Sequence, residues 1–176
     1  IEVQKGTVSA NLVGIAGLSK TTAKTATLSG SVTTNSPVSV VAGTLILSQQ
    51  DMLVGTPGVN LAKGTTLSLS ADQTIQNLSG TGTVQLNGYK LTILANSNVN
   101  FAGTITGNGT LAKTGTADLV LTGSNSPQST TILAGRILLA KGSQLSVPFQ
   151  GFHDIGKARV SRLSCTRRGG SGAVRQ

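Results

Sequence analysis

The sequence predicts an all-β fold, a parallel β-helix, from three observations. Apolar residues alternate with polar ones over many short runs, turn-forming residues separate these runs, and one unit of the pattern occurs twice. Spacing with a period of two predicts strands that bury one face. A strand-and-turn unit that repeats within 176 residues favours an architecture of stacked repeats.

The second copy of the unit, residues 107–145, shows the alternation most clearly. Its apolar residues are predicted to point into the core: Leu111, Leu119, Leu121, Ile132, Ile137 and Leu139. Glycines between the runs are predicted to form the corners, because glycine adopts positive φ angles without strain: Gly115, Gly123 and Gly135.

The first copy, residues 14–50, matches the second at many positions. Gly14, Leu18, Lys20, Thr21, Leu28 and Gly30 match Gly107, Leu111, Lys113, Thr114, Leu121 and Gly123 at one offset. After a slip of one residue, Ala42, Gly43 and Leu47 match Ala134, Gly135 and Leu139. Between the copies, apolar pairs start about every eight residues, which predicts three strands per turn, turns of about 23 residues and about six or seven turns.

Composition supports stacked repeats over a compact sandwich. Trp is absent and Phe and Tyr total four, so the core is built from small aliphatic residues. No window shows apolar spacing of helical period, and Gly and Thr are dense throughout. Asn87-Gly88 is a hairpin signal, and an antiparallel β-sandwich is therefore the structural alternative.

Charge divides the chain into residues 1–147 and residues 148–176. The first part carries a net charge of +4 and the second +5, out of +9 in all. Alternation stops in the second part and arginines appear, so we expect a disordered basic tail that is foreign to the fold. The missing initiator Met suggests a fragment or a processed form.

Residues 107–137 resemble the passenger-associated transport repeat of bacterial autotransporters. The resemblance lies in the pattern Gly107-x-Gly109-x-Leu111-x-Lys113-x-Gly115, then Leu119-x-Leu121-x-Gly123-x-Asn125, then Thr131-Ile132 and Ala134-Gly135-x-Ile137. The segment 78–88 is similar to the rung that commonly precedes this repeat, and the likeness extends over residues 1 to about 147. Pro127 and Ser129 stand near places where the family favours an aromatic residue and a glycine.

The resemblance implies a right-handed parallel β-helix outside the outer membrane of a bacterium, on the cell surface or secreted. It implies a stalk segment of a type V secreted surface protein that assists passenger folding and export and displays an adhesive region. The implied partner is an outer-membrane β-barrel translocator. Direct binding of host matrix or glycans is the alternative function, and an enzyme acting on polysaccharides is a weaker third one.

The residues themselves predict no enzyme, cofactor or metal site. The four acidic residues of the first part are scattered, although Asp51 and Asp72 lie about one turn apart and could stack on one face. His153 and Cys165 lie in the tail without partners for catalysis, and the tail's arginines lack the aromatic residues of a specific nucleic-acid site. No apolar run is as long as a membrane span. Lys113-Thr114-Gly115-Thr116 lacks phosphate-loop spacing and is interpreted as turn residues.

Thr-x-Thr pairs occur at 25/27, 81/83, 104/106 and 114/116. Stacked threonines on a flat β-helix face can bind ice. These pairs do not recur at every turn in one register of the sequence, so we expect ordinary outward-facing threonines.

Overall fold

The computed structural model describes residues 1–145 and 159–161, which form a parallel β-solenoid of about seven turns. Every strand pair among these residues is parallel, which excludes the antiparallel sandwich. The described residues contain no helix. The prediction of an all-β, parallel stacked fold is therefore confirmed.

The chain crosses three faces in each turn, and the first face is continuous along the solenoid. Its strands pair in this order: β1 (Glu2–Val3), β4 (Ser19–Lys20), β7 (Val38–Val40), β9 (Val59–Leu61), β12 (Leu78–Gly80), β15 (Val99–Phe101), β17 (Asp118–Leu121), β19 (Arg136–Leu139) and β21 (Arg159–Ser161).

The second face is also continuous. Its strands are β2 (Gly6–Val8), β5 (Thr25–Leu28), β8 (Thr44–Leu47), β10 (Thr66–Leu69), β13 (Thr83–Gln85), the first halves of β16 (Thr104–Thr114) and β18 (Ser124–Ile132), and β20 (Gln144–Leu145).

The third face is interrupted near its N-terminal end. Its strands are β3 (Leu12–Gly14), β6 (Val32–Thr34), β11 (Gln73–Ile75), β14 (Lys90–Leu94) and the second halves of β16 and β18. Strands β3 and β6 pair only with each other, and one isolated bridge from Thr33 to Gly55 continues the stack beyond them. Residues 48–58 form turns in place of a strand at this point.

Inward side chains stack in columns because register partners on neighbouring turns point the same way. One column on the second face consists of Ala26, Leu45, Leu67, Val84 and Ile105, each fully buried. Phe101 is the one aromatic side chain in the buried core of the described residues. The aliphatic core predicted from composition is thus what fills the solenoid.

Turn length varies along the solenoid. Register partners one turn apart are separated by 17 positions at Glu2 and Ser19, by 20 at Ser19 and Ser39, and by 21 at Val38 and Val59. Most turns are therefore shorter than the predicted length of about 23 residues. The apolar alternation does not report corner length, because corners of two to four residues separate most consecutive strands and leave the pattern within each strand unchanged.

The predicted basic tail falls largely outside the described residues, as do its boundary at residue 147 and the residues His153 and Cys165. The described part of the tail is β21, which pairs in parallel with β19.

Candidate functional site: lysine corners and a threonine ladder

The structure places the six predicted core residues in or against one core. Leu111, Leu119, Leu121 and Ile137 are fully buried. Ile132 and Leu139 are partly buried and pack against the same cluster.

The three predicted corner glycines exclude a side chain for different reasons. Gly115 and Gly135 have φ angles of 77° and 70°, which L residues with a side chain rarely adopt. Gly123 has no such angle, but a Cβ atom there would collide with the carbonyl oxygen of Gly103 on the preceding turn. Close backbone stacking, as well as turn conformation, therefore requires glycine.

Lys113 is fully buried at the end of β16, beside the corner that leads from the third face to the first. Its Nζ donates hydrogen bonds to the carbonyl oxygens of Thr114 at 2.6 Å and Gly115 at 2.9 Å. It also donates to the carbonyl oxygen of Ala134 on the next turn at 3.2 Å. Three acceptors match the three donors of an ammonium group, so the buried charge is satisfied by backbone from two turns.

Lys20 repeats this arrangement at the end of β4, beside the corner from the first face to the second. Its Nζ donates to the carbonyl oxygen of Thr22, to Thr22 Oγ1 at 3.2 Å, and to the carbonyl oxygen of Ala42 on the next turn at 3.1 Å. We call these two arrangements, each with its Ala-Gly pair on the following turn, the lysine corners.

Main-chain contacts at the two lysine corners also correspond. The Lys113 carbonyl accepts from the backbone N–H groups of Leu133 at 2.8 Å and Ala134 at 3.4 Å. The Lys20 carbonyl accepts from those of Val41 at 2.8 Å and Ala42 at 3.2 Å. The lysine thus holds the next turn through both its side chain and its main chain.

The glycine after each acceptor alanine closes the corner. Gly43 and Gly135 have φ angles of 71° and 70°. A Cβ atom on Gly135 would lie 2.5 Å from the Gly115 carbonyl oxygen and 2.8 Å from Lys113 Nζ. A Cβ atom on Gly43 would collide with the carbonyl oxygens of Thr22 and Lys24.

The two copies of the sequence unit therefore form the same corner at different places. Lys20 lies on the first face and Lys113 on the third, so the copies are displaced by one face around the solenoid. A lysine corner is a local arrangement of two turns that does not depend on which corner of the triangle it occupies.

Burial shapes the electrostatics of both lysines. Desolvation lowers the pKa of Lys20, and it lowers the pKa of Lys113 against a smaller opposing effect from the negative charge of Asp118. Hydrogen bonds to carbonyl oxygens offset part of the cost of desolvating each ammonium.

Sequence reasoning missed the burial of these lysines. Interpretation of Lys113-Thr114-Gly115-Thr116 as turn residues is wrong for Lys113 and Thr114, which lie within β16. The signal was present in the copies, since Lys20 and Lys113 fall at alternating inward positions and match at one offset. Lysine is so rarely buried that alternation alone did not predict it.

Asn125 is a third buried polar group that joins turns. It is 1% exposed, and its Oδ1 accepts the backbone N–H of Ile105 on the preceding turn at 2.9 Å. Its Nδ2 donates to the carbonyl oxygen of Gly123 at 3.0 Å and to that of Gln144 on the next turn at 3.4 Å. One side chain thereby links three successive turns of the second face.

The outer surface of the second face carries a ladder of five threonines, which we call the threonine ladder: Thr25, Thr44, Thr66, Thr83 and Thr104. Each is the register partner of the next, on five consecutive turns. The Thr-x-Thr pairs themselves do not recur at every turn, as expected, since Ile46, Ser68 and Gln85 stand in the second position on the three middle turns, but single threonines do recur in one register. Of the residues in Thr-x-Thr motifs, this face holds the pairs 25/27 and 104/106 and the single residue Thr83. The other two members of the ladder, Thr44 and Thr66, are not part of such a motif.

The acidic residues Asp51, Asp72 and Asp118 form hydrogen bonds or ion pairs with residues on adjacent turns. The backbone N–H of Asp51 donates to the carbonyl oxygen of Asp72 at 3.1 Å, which places them on adjacent turns. Asp72 Oδ1 accepts the backbone N–H of Lys90 at 2.8 Å, and the Lys90 ammonium lies 3.9 Å from its Oδ2. Asp118 forms a two-bond pair with Arg136 at 2.9 and 2.6 Å.

The part of the chain that the structure describes holds no group of three or more histidine, cysteine and acidic residues that would suit a metal ion. Within the same residues, the search for a helix long and apolar enough to cross a membrane found none.

Comparison with known proteins gives one informative relative. Over 82 residues, or 46% of this chain, the sequence is 40% identical to part of the Adhesin BmaC autotransporter of Brucella suis biovar 1 (strain 1330). The chain spans only 2% of the length of that relative. No protein-family model matches the chain, and no solved structure matches it significantly. The match to an autotransporter adhesin and the parallel β-solenoid together fit an autotransporter passenger-like domain.

Proposed function

We propose that the chain is a stalk segment of an autotransporter surface protein, which assists passenger folding and export and carries an adhesive region. The observation that supports this most is the continuous parallel stacking of the first and second faces over about seven turns. Each turn contacts only its neighbours in such a fold, so a folded turn is a template for the next one. A stack that grows outside the outer membrane opposes backward movement of the chain.

The proposed place is the bacterial surface, with an outer-membrane β-barrel translocator as partner. Similarity to a protein named as an autotransporter adhesin supports both. The role is proposed to be non-enzymatic. The acidic residues support this, since Asp72 and Asp118 pair with basic residues and Glu2 accepts hydrogen bonds from Thr21 and Gln4.

Surface display tests the stalk function. The full chain is fused ahead of an autotransporter β-barrel in a Gram-negative host, and display is measured by protease shaving and antibody labelling. We expect display to fall severalfold in Leu121→Asp, because a buried carboxylate interrupts the stack, and to persist in Val120→Asp, whose side chain points outward. Equal display of the two variants contradicts a role for stacking in export.

Direct adhesion is a second candidate function, favoured by the threonine ladder. A binding surface on a solenoid needs an exposed pattern that recurs on adjacent turns, and the ladder supplies hydroxyl and methyl groups at a spacing of about 4.8 Å. The relative's printed name, adhesin, agrees with it. The partner class is host matrix protein or glycan.

Solid-phase binding to matrix proteins and to a glycan panel tests this function. The variant Thr44→Lys with Thr66→Lys places charge on the ladder, and Ser39→Lys with Asn60→Lys places the same charge on the first face of the same turns. Adhesion through the ladder predicts loss of binding in the threonine variant alone. Equal binding by both variants argues against the ladder.

A further inference from the structure

The apolar pattern of this chain does not fix how one turn sits on the next. A slip of one residue turns the core side chains outward and is excluded by burial. A slip of two residues keeps every inward position inward. Turn length does not exclude it either, since partners are 17 positions apart at Glu2 and Ser19 but 21 at Val38 and Val59.

The lysine corners distinguish these registers. Lys113 Nζ needs the Ala134 carbonyl oxygen of the next turn at 3.2 Å, and the Lys113 carbonyl accepts two N–H groups from that turn. A slip of two residues moves these groups by about 7 Å along the strand. The acceptor is a corner carbonyl that comes just before the positive φ angle of Gly135, so a slipped strand does not put an equivalent carbonyl in its place. A buried ammonium that loses one of its acceptors is strongly unfavourable.

The glycine of the next turn adds a steric condition. Gly135 lies against Lys113 Nζ and the Gly115 carbonyl oxygen, where a Cβ atom has no room. A slip of two residues in either direction brings Leu133 or Ile137 to this place. Attraction by the carbonyl oxygens and exclusion by the glycine therefore select the same register.

We infer that Lys20 and Lys113 are register pins: each buried ammonium holds the following turn in the one alignment that places its Ala-Gly pair over the lysine. Recurrence supports this inference, because the same contact between turns, from the lysine ammonium to the alanine carbonyl oxygen, forms on different faces within two copies of one sequence unit. The inference concerns how turns align, and it holds whether or not the segment serves as a stalk.

Disulfide trapping tests the pin at Lys113. In the full chain with Cys165→Ser, cysteines replace Val120 and Leu138, which are outward-facing register partners on β17 and β19. A second chain pairs Val120→Cys with Ala140→Cys, which face each other only after a slip of two residues. In-register Cα atoms lie about 4.8 Å apart, whereas diagonal ones lie beyond the span of about 7 Å that a disulfide bridges.

Each cysteine pair is refolded with Lys113 intact, with Lys113→Met, and with the control Lys141→Met, which removes an exposed lysine at a later corner. We expect the methionine at 113 to lower the in-register disulfide severalfold and to raise the slipped one, while the control matches the parent. An unchanged in-register yield in Lys113→Met overturns the inference.

If Lys113→Met fails to fold, chemical rescue tests whether the ammonium at position 113 sets the register of the next turn. In Lys113→Ala, n-propylammonium supplies the carbons and the ammonium that the truncation removes, and n-propanol supplies similar volume without charge. A pin predicts that refolding with n-propylammonium restores the in-register disulfide and that n-propanol does not. Equal restoration by both, or restoration by neither, overturns the inference.

Discussion

At the scale of the residue, the contacts of each side chain are set by the residues one turn before and one turn after it. Leu121 stacks between Phe101 and Leu139. Lys113 stands in an equivalent inward column between Ile93 and Ile132. A lysine is tolerated there because carbonyl oxygens of the corner accept hydrogen bonds from its ammonium, whereas Leu121 is fully buried in the hydrophobic core.

Leu121→Asp is expected to abolish cooperative folding. The substitution removes about 2 kcal/mol of apolar burial and places an unpaired carboxylate in the core, at a further cost of several kcal/mol. Thermal melting followed by far-ultraviolet circular dichroism measures the effect, with Val120→Asp as the outward-facing control. A parent-like melting curve for Leu121→Asp contradicts the core assignment of Leu121.

Gly135→Ala is expected to destabilise the chain more than Gly142→Ala. Both glycines have positive φ, at 70° and 86°, so each alanine costs about 1–2 kcal/mol in backbone strain. Only at Gly135 does the added Cβ atom meet the Gly115 and Ala117 carbonyl oxygens and Lys113 Nζ, whereas at Gly142 it meets nothing within 4 Å.

The free energy of unfolding in urea provides this comparison. Equal losses in the two alanine variants indicate that Gly135 is required for its φ angle alone and that the steric part of the lysine corner is wrong.

At the scale of the element, alternation predicted which side chains point inward but not which face each strand occupies. The copies beginning at Gly14 and Gly107 matched in sequence, yet their lysines lie on the first and third faces. The reason is that corners of variable length separate strands of nearly uniform pattern. The threonine ladder was not predicted for the same reason. The register that places Thr44 and Thr66 in it can be assigned only when the turn lengths are known.

Acid sensitivity is expected from the pair between β17 and β19. Hydrogen bonds from Arg136 hold the pKa of Asp118 below its ordinary value of 3.8. The folded state therefore binds a proton less readily than the unfolded state. The stability from this pair is fully present above the unfolded pKa and is lost as the pH falls through the folded pKa.

Asp118→Asn should accordingly flatten the fall in unfolding free energy below about pH 4. Urea unfolding between neutral pH and strong acid measures the slope. Asp51→Asn is the control, because Gln50 Nε2 is the one side-chain donor to the Asp51 carboxylate within the described part of the chain. If the unfolding free energy of Asp118→Asn falls with pH as steeply as that of the parent chain, the Asp118–Arg136 pair does not contribute to the acid sensitivity.

At the scale of the whole molecule, stability is a sum over contacts between neighbouring turns. Those contacts are not uniform. Three faces couple the turns from β11 onward, but the third face is broken after β6, where a single bridge from Thr33 to Gly55 remains. The turns that contain β1 to β6 are therefore joined to the rest mainly through two faces. They also form one end of the described stack.

Unfolding is expected to begin at this end, and the two buried lysines report it. Lys20 lies before the break and Lys113 beyond it, and both are inaccessible to acylating reagents in the folded chain. Pulsed lysine acylation with mass spectrometry across a urea series should show Lys20 becoming reactive at a lower urea concentration than Lys113. Exposed Lys24 and Lys90 give the intrinsic reactivity at each concentration. A common midpoint would mean that two faces couple the turns as tightly as three. If Lys113 reacted first, the weakest contact between turns would lie in the C-terminal part of the solenoid, and the break in the third face would not limit its stability.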